Sequence, residues 1–277
     1  MPPTEAKDDF FENGKPVHKT AYCAFLDVLG FSERIRESYK LGTHDSLLAS
    51  FHSILGKAIA SLKKDSDDSM LYFKSFTDNV VLAHPGFSND LESEFGFILW
   101  SLREYQFNMA CEGFFVRGGL SVGPLFMDDT SVYGAALLEA YELESKIAVN
   151  PVVALSDDAM KLVDHHMTYY FNERPPQVRD VLRGPDGRYF INYLTEAIYE
   201  TSQGEKLAVK LLRKHKNNVV AELRKHRKNP RVFEKFAWLA AYHNHFCDQV
   251  AGFPEYKVSL KVPGKEFSLV FSAISRK

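Results

Sequence analysis

The chain has 277 residues, 45% of them hydrophobic, enough to bury a sizeable core as one large domain or one domain with an appendage. A quarter of the residues are charged and the formal net charge is only −2, which sets aside disordered, fibrous and strongly nucleic-acid-binding classes. Three cysteines, Cys23, Cys111 and Cys247, lie far apart without CxxC spacing, which argues against a disulfide framework or a zinc knuckle and fits a reducing cytosol.

Residues 1–19 read as a mobile arm, acidic and polar at the start (MPPTEAKDDFFENGKP) and without a charged-then-apolar signal pattern. AYCAFLDVL (21–29) is a short apolar run rich in strand formers and ended by Gly30, the pattern of a buried strand. Ser32 is a good helix N-cap, and an amphipathic stretch runs from it to about Lys64. SLKKDSDDS (61–69) is a polar turn. MLYFKSF (70–76) and NVVLAHP (79–85) read as a hairpin joined by Thr77-Asp78. Asn89 to Ala110 reads as a helix with Phe95, Ile98, Leu99, Leu102 and Phe107 on one side. FFVRGGLSVGPLFM (114–127) is a strand with a Gly-rich kink, YGAALLEAYELESK (133–146) a helix started by a turn at Gly134, and PVVALS (151–156) another strand. Residues 157–195 mix short elements with the turn RGPDGR. Residues 204–228 and 231–250 read as helices split at Asn229-Pro230, and the alternating 256–274 segment as a hairpin turned at Pro263-Gly264. No run of about 18 apolar residues exists, so no membrane span is expected.

The first six elements after the arm match a ferredoxin-like βαββαβ unit. In such a unit the first strand and the central hairpin are neighbours. Asp27, at the end of the first strand, then faces Asp78, at the hairpin tip, across one edge of the sheet. Paired carboxylates on hard oxygen chemistry suit Mg²⁺ or Mn²⁺, with substrate phosphates completing the shell. The Gly30-Phe31-Ser32 turn adds backbone N–H groups at a helix start, a favourable place for phosphate. These are the parts of a two-metal phosphoryl-transfer site. An Asp in a hairpin tip is usually a turn residue. An Asp flanked by Phe25-Leu26 and Val28-Leu29 is harder to dismiss, because burying a lone carboxylate costs several kcal/mol.

Four segments carry a family resemblance. AFLDVLGFS resembles the F-x-D-I/V-x-G-F-S/T opening of class III adenylyl and guanylyl cyclases, and FKSFTDNVVLA their K-x-x-G-D-x-x-L/M-A hairpin. VRGGLSVGPLF and SVYGAALLEAYELES resemble their R-x-G-I/L-x-x-G strand and D-x-x-G-x-x-V-N-x-A-x-R-L-E helix. The resemblance covers about 125 residues and implies a ferredoxin-like βαββαβ cyclase core over 20–156; the chain as a whole is read as α+β, with an α/β C-terminal extension over 157–277 packed on the core or dimer. The resemblance also implies two divalent metal ions, Mn²⁺ or Mg²⁺, on Asp27, Asp78 and the Val28 carbonyl. Gly30, Phe31 and Ser32 then meet a nucleoside triphosphate, Lys74 reads the base, and a homodimer forms with its active sites at the interface.

The departures are as informative. Ser131 stands where the lysine's partner Asp is expected, Leu138 replaces the ribose Asn, Glu142 the transition-state Arg, and Thr77 the usual Gly. Without that Arg, charge on the transferring phosphoryl group lacks its stabiliser. Arg117 and Arg34 are the candidate replacements, although Arg117 is equally read as a strand residue paired with an acid. Kept metal aspartates with drifted base-reading positions resemble the bacterial pyrimidine cyclases of the Pycsar anti-phage systems. That resemblance implies conversion of UTP or CTP to a cyclic nucleotide acting on a separate effector, with Lys74, Ser131 and Tyr133 selecting the base. A stand-alone cytoplasmic enzyme without nucleic-acid or membrane partners is the corresponding expectation. Alternatives kept open are a purine cyclase and a degenerate module that binds nucleotide or only dimerises.

Other features read more simply. Ten Lys or Arg against the single acid Glu222 over 206–231 read as a solvated helix face. His165-His166 and His243-x-His245 lack a Cys or carboxylate at zinc-site spacing.

Overall fold

A computed structural model describes residues 9–65, 70–170, 175 and 177–274. The arm expected over 1–19 lies outside the described residues up to Lys7 and Asp8. From Asp9 the chain is built into the fold: Phe10 is buried, and Phe11–Glu12 pairs with Lys15–Pro16. The polar turn expected over 61–69 lies partly outside the described residues.

The central strand, β1 (Lys19–Val28), is buried on both faces over Ala21–Ala24, as its unbroken apolar run requires. It leads into helices α1 (Phe31–Leu41) and α2 (His44–Asp65), then the hairpin β2 (Tyr72–Phe76) and β3 (Asn79–Pro85). Helix α3 (Glu92–Cys111) and strand β4 (Val116–Met127) complete the unit. The strands lie in the order β4-β1-β3-β2, all antiparallel, which is the ferredoxin-like arrangement. Strand β5 (Val132–Gly134) folds back on β4, helix α4 (Ala135–Glu142) follows, and β6 (Val153–Leu155) joins β4 in parallel. Beyond helix α5 (Asp157–His166), β7 (Val181–Arg183) and β8 (Tyr189–Ile191) extend the same sheet. The molecule is thus α+β, with the later chain continuing the sheet of the βαββαβ unit.

Alternation along β1 sorts the two faces. Tyr22, Ala24, Leu26 and Val28 enter one core with Phe51 of α2 and Phe95, Ile98 and Leu102 of α3. Ala21 and Cys23 face the other way, with Leu125 and Ala136. Phe25 and Asp27 share that second side, where the Phe25 ring meets Tyr141 of α4 at 5.4 Å. Helix α4 comes this close because Gly119 has no side chain. A Cβ there would stand 2.3 Å from Leu143 Cβ and 2.4 Å from the Ala140 carbonyl oxygen. Gly119→Ala is therefore expected to cost about 3 kcal/mol, the upper range for overpacking, because the nearer obstacles include backbone. Chemical denaturation measures it, and an unchanged midpoint would show that α4 moves away freely.

Several expected boundaries differ. The stretch from Ser32 to Lys64 is two helices, because Gly42 takes a left-handed conformation (φ 67°) and caps α1. Gly30, not Ser32, is the N-cap of α1; it too is left-handed (φ 74°), and Ser32 lies exposed in the first turn. The start of the helix expected over 204–228 is instead a strand: β9 (Ile198–Thr201) pairs with β10 (Gly204–Leu207). Helices α6 (Val209–Lys225) and α7 (Pro230–Gln249) follow, the latter with Pro at its first turn, where no N–H is needed. The hairpin expected over 256–274 does not form. Asn244 of α7 takes its backbone groups instead, donating to the Val262 and Phe267 carbonyls and accepting from Val262 N–H. Leu260, Val262, Phe267 and Phe271 pack into the α6–α7 core, and only Ser272–Ala273 (β11) pairs, with β7.

The histidines of α6 and α7 are structural. Among the described residues no group of three or more His, Cys, Asp or Glu side chains is placed to hold a metal. His243 Nε2 donates to the Leu260 carbonyl (2.9 Å), so its Nδ1 accepts from His215 Nδ1 (3.0 Å), and His215 Nε2 accepts the Tyr193 hydroxyl (2.8 Å). This relay requires both rings neutral. Burial holds both below the usual 6.5, and His243 at about 4. Stability from neutral His243 is complete above pH 6.5 and falls as pH drops toward about 4, because only the unfolded chain gains the proton. The expected loss is roughly 3 kcal/mol for this residue. Denaturation midpoints at pH 7 and pH 4.5 measure it, and His243→Gln should flatten the dependence.

Candidate active site

Asp27 stands opposite Arg117 in the β1–β4 register. Arg117 Nε donates to Asp27 Oδ2 at 3.1 Å, and its Nη2 lies 2.6 Å from Glu144 Oε1. Glu144 is in the π-helical turn Leu143–Ile147 that continues α4, a widened turn of the kind often found at functional sites. Burial raises both carboxyls, and Arg117 opposes the rise in each. Asp78, at the β2–β3 tip, comes close enough to Asp27 to raise its carboxyl further. The two aspartates are therefore together, across the sheet edge where the strand order places them.

The hairpin tip is held in an uncommon conformation. Thr77 has φ 57°, and a β-branched side chain is disfavoured there. Its hydroxyl donates to the Phe76 carbonyl (2.6 Å) and accepts from Asn79 Nδ2 (3.2 Å), fixing the loop that carries Asp78.

The turn after β1 presents a helix start with no side-chain cap. Gly30 and Arg34 line a cavity of about 930 Å³ that also reaches Asp27 and Arg117. The Phe31 side chain is buried on Phe51 and Phe114 (ring centroids 4.4 and 6.2 Å), so only its backbone is available to a ligand. Arg34 is committed elsewhere: it donates to the Gly113 carbonyl (2.8 Å) and to Glu222 (3.0 Å). Lys74 Nζ donates to the Asp128 carbonyl (2.9 Å), in the turn where Asp128 Oδ1 accepts the Ser131 N–H (2.7 Å). Lys74 and Ser131 are thus brought to one turn. Tyr133, next along, is exposed and lies near the His18 ring (5.4 Å). Leu138 is exposed, and Glu142 makes a surface ion pair with Lys146 (3.2 Å).

Three contributors escaped sequence reading. Glu144 is the final Glu of the helix motif, and that position was its signal. Arg231, the last cation of the basic stretch read as a solvated face, and Lys235, which had no signal, come from α7 and line the cavity that Asp27 also lines.

The donor chemistry fits a divalent cation. Two carboxylates that repel each other are close together, and Asp78 has no cationic side chain bonded to it among the described residues. Hard oxygen donors of this kind suit Mg²⁺ or Mn²⁺, with the Val28 carbonyl next to Asp27 in the chain. Among the described residues no helix is long and apolar enough to cross a membrane.

No family model and no curated protein matches the chain. Some solved structures are similar over part of it. A class III adenylyl cyclase-like ATP-binding protein from Pseudomonas aeruginosa superposes with a TM-score of 0.42 at 14% identity, covering 53% of this chain and 35% of its own. The catalytic core of a rhodopsin-guanylyl cyclase with converted specificity, in complex with ATPαS, gives 0.42 at 15% identity over 63% and 96%. The guanylyl cyclase Cya2 gives 0.37 at 14% over 52% and 78%. The chain spans about a third of the length of the first of these.

Proposed function

We propose that the chain is a class III nucleotidyl cyclase, with its catalytic core over 20–156, that converts UTP to 3′,5′-cyclic UMP and diphosphate. The observation that carries this reading is the approach of Asp78 to Asp27, which itself lines a cavity rich in Lys and Arg side chains. Asp27, Asp78 and the Val28 carbonyl would hold two divalent metal ions, Mn²⁺ or Mg²⁺, which would activate the ribose 3′-hydroxyl and neutralise phosphate charge. The 3′ oxygen attacks the α-phosphorus in line, its proton passes to solvent water, and the bond to the leaving diphosphate breaks. Gly30, Phe31 and Ser32 offer backbone N–H groups to the leaving phosphates. Arg117 holds Asp27 in place against Glu144. Lys74, Ser131 and Tyr133 border the base, and the bulk of Tyr133 favours a single ring.

Phe76, Tyr133, Leu138 and Tyr141 are exposed, and Tyr141 meets Phe25 on the side of the sheet that carries Asp27, which supports a homodimer closing the site. In this reading the enzyme is cytoplasmic, and its product acts on a separate effector in anti-phage defence. Incubating the pure protein with each of the four NTPs and Mn²⁺ tests it. Cyclic UMP is the expected product. Cyclic CMP would move the assignment to cytidylate cyclase, and a purine product would end the pyrimidine claim. No cyclic product from any of the four would leave a nucleotide-binding module, the reading that Leu138 and Glu142 favour.

A further inference from the structure

The cavity beside Asp27 lies between α1 and the α6–α7 pair, and seven Lys or Arg side chains line it against four carboxylates. Most of these cations are already neutralised. Arg34 pairs with Glu222, Arg36 with Glu33, and Lys225 with Glu37, while Arg117 bridges Asp27 and Glu144. Lys40, Arg231 and Lys235 remain with no ion pair among the described residues. Lys235 is the most unusual, being half-buried with Arg117 and Arg231 as neighbours. Burial first, then those two guanidinium groups, hold its ammonium below the usual range. A cation cluster that repels itself inside a cavity is relieved by a polyanion, and phosphate oxygens match both ammonium and guanidinium donors.

We infer that Lys235 and Arg231 of α7 bind the polyphosphate tail of the nucleotide, so that the C-terminal extension supplies charge neutralisation that Glu142 cannot. The inference rests on the cyclase reading for its place in a reaction, but it is a statement about anion binding and is tested separately. The two arginines named from sequence, Arg34 and Arg117, are tied to carboxylates. Lys235 lies near Asp27 and Glu144 without pairing to either. A chain of phosphates that starts at Asp27 and runs into the cavity therefore reaches α7.

Inorganic tripolyphosphate is the probe, and calorimetry on the full chain the measurement. Lys235→Ala and Arg231→Ala should each weaken tripolyphosphate binding about tenfold, the loss of one charge-assisted contact. Lys235→Arg should retain it, and binding of uridine monophosphate should change little. Because Lys235 makes no ion pair, its removal should leave the thermal midpoint unchanged or higher; Lys235→Gln serves if the Ala variant folds poorly. Wild-type protein that does not bind tripolyphosphate, or variants that bind it unaltered, would overturn the inference. With turnover measured in parallel, the two readings separate. Lys235-dependent binding without any cyclic product keeps this inference and ends the cyclase reading. Product formation with unchanged KM and kcat in Lys235→Ala does the reverse.

Discussion

Asp78→Asn is expected to abolish cyclic nucleotide formation while leaving the protein folded. Loss of one carboxylate from a two-metal site removes several kcal/mol of charge stabilisation. At about 4 kcal/mol this is roughly a thousandfold in rate. The same substitution removes the charge that repels Asp27, so the Asp27 carboxyl should fall toward its ordinary range. Metal-free protein should then be as stable as wild type or slightly more stable at neutral pH. The two readouts move in opposite directions, which separates loss of a ligand from loss of structure. Activity within tenfold of wild type would show that Asp78 is a turn residue, the ordinary role of an Asp at a hairpin tip.

Arg117→Met is expected to destabilise the fold more than most substitutions at the site. Arg117 is the common partner of Asp27 and Glu144, whose side chains are only 21% and 6% exposed. Removing one member of a buried ion pair leaves an uncompensated charge, a loss of about 3 kcal/mol or more. Partial exposure of Arg117 and Asp27 brings the expected loss to about 2–3 kcal/mol at pH 7. Its pH dependence has a definite sign. Burial already raises both carboxyls, and Arg117 is the main opposing influence. Without it both rise further, so the folded protein takes up protons more readily than the unfolded chain as pH falls. The deficit should therefore be largest above pH 7 and shrink toward pH 5. Adding Glu144→Gln to Arg117→Met should recover part of it at neutral pH, and the double-mutant cycle gives the coupling. A pH-independent deficit would mean that Arg117 acts through the packing of its carbon chain instead.

Local pattern carried the first half of the chain well. An unbroken apolar run ended by Gly30 marks β1, and a two-residue link between alternating segments marks the β2–β3 hairpin. Both signals are short-range, and together they fix where Asp27 and Asp78 stand. The RGG strand was legible as a motif, but its cause was not. Gly119 is small because α4 crosses it, a fact about packing between elements. The break at Gly42 was hidden because the amphipathic pattern continues across it, and a single left-handed residue changes direction without changing hydrophobicity.

The end of the chain was read least well. Alternation over 256–274 has the period of a strand, but its backbone groups are taken by the Asn244 side chain and its apolar residues by the α6–α7 core. The basic stretch over 206–231 is the largely exposed face that was expected, and its Lys225 and Arg231, with nearby Lys235, also line the cavity that Asp27 lines.

The sequence by itself determined the ferredoxin-like order of elements and the two aspartates that meet within it, since periodicity and turn residues act over a few positions. Only the tertiary structure decided which cations face those aspartates. Arg117, Glu144 and Lys235 come from three distant segments, and whether each charge is paired, buried or left seeking an anion depends on how those segments pack.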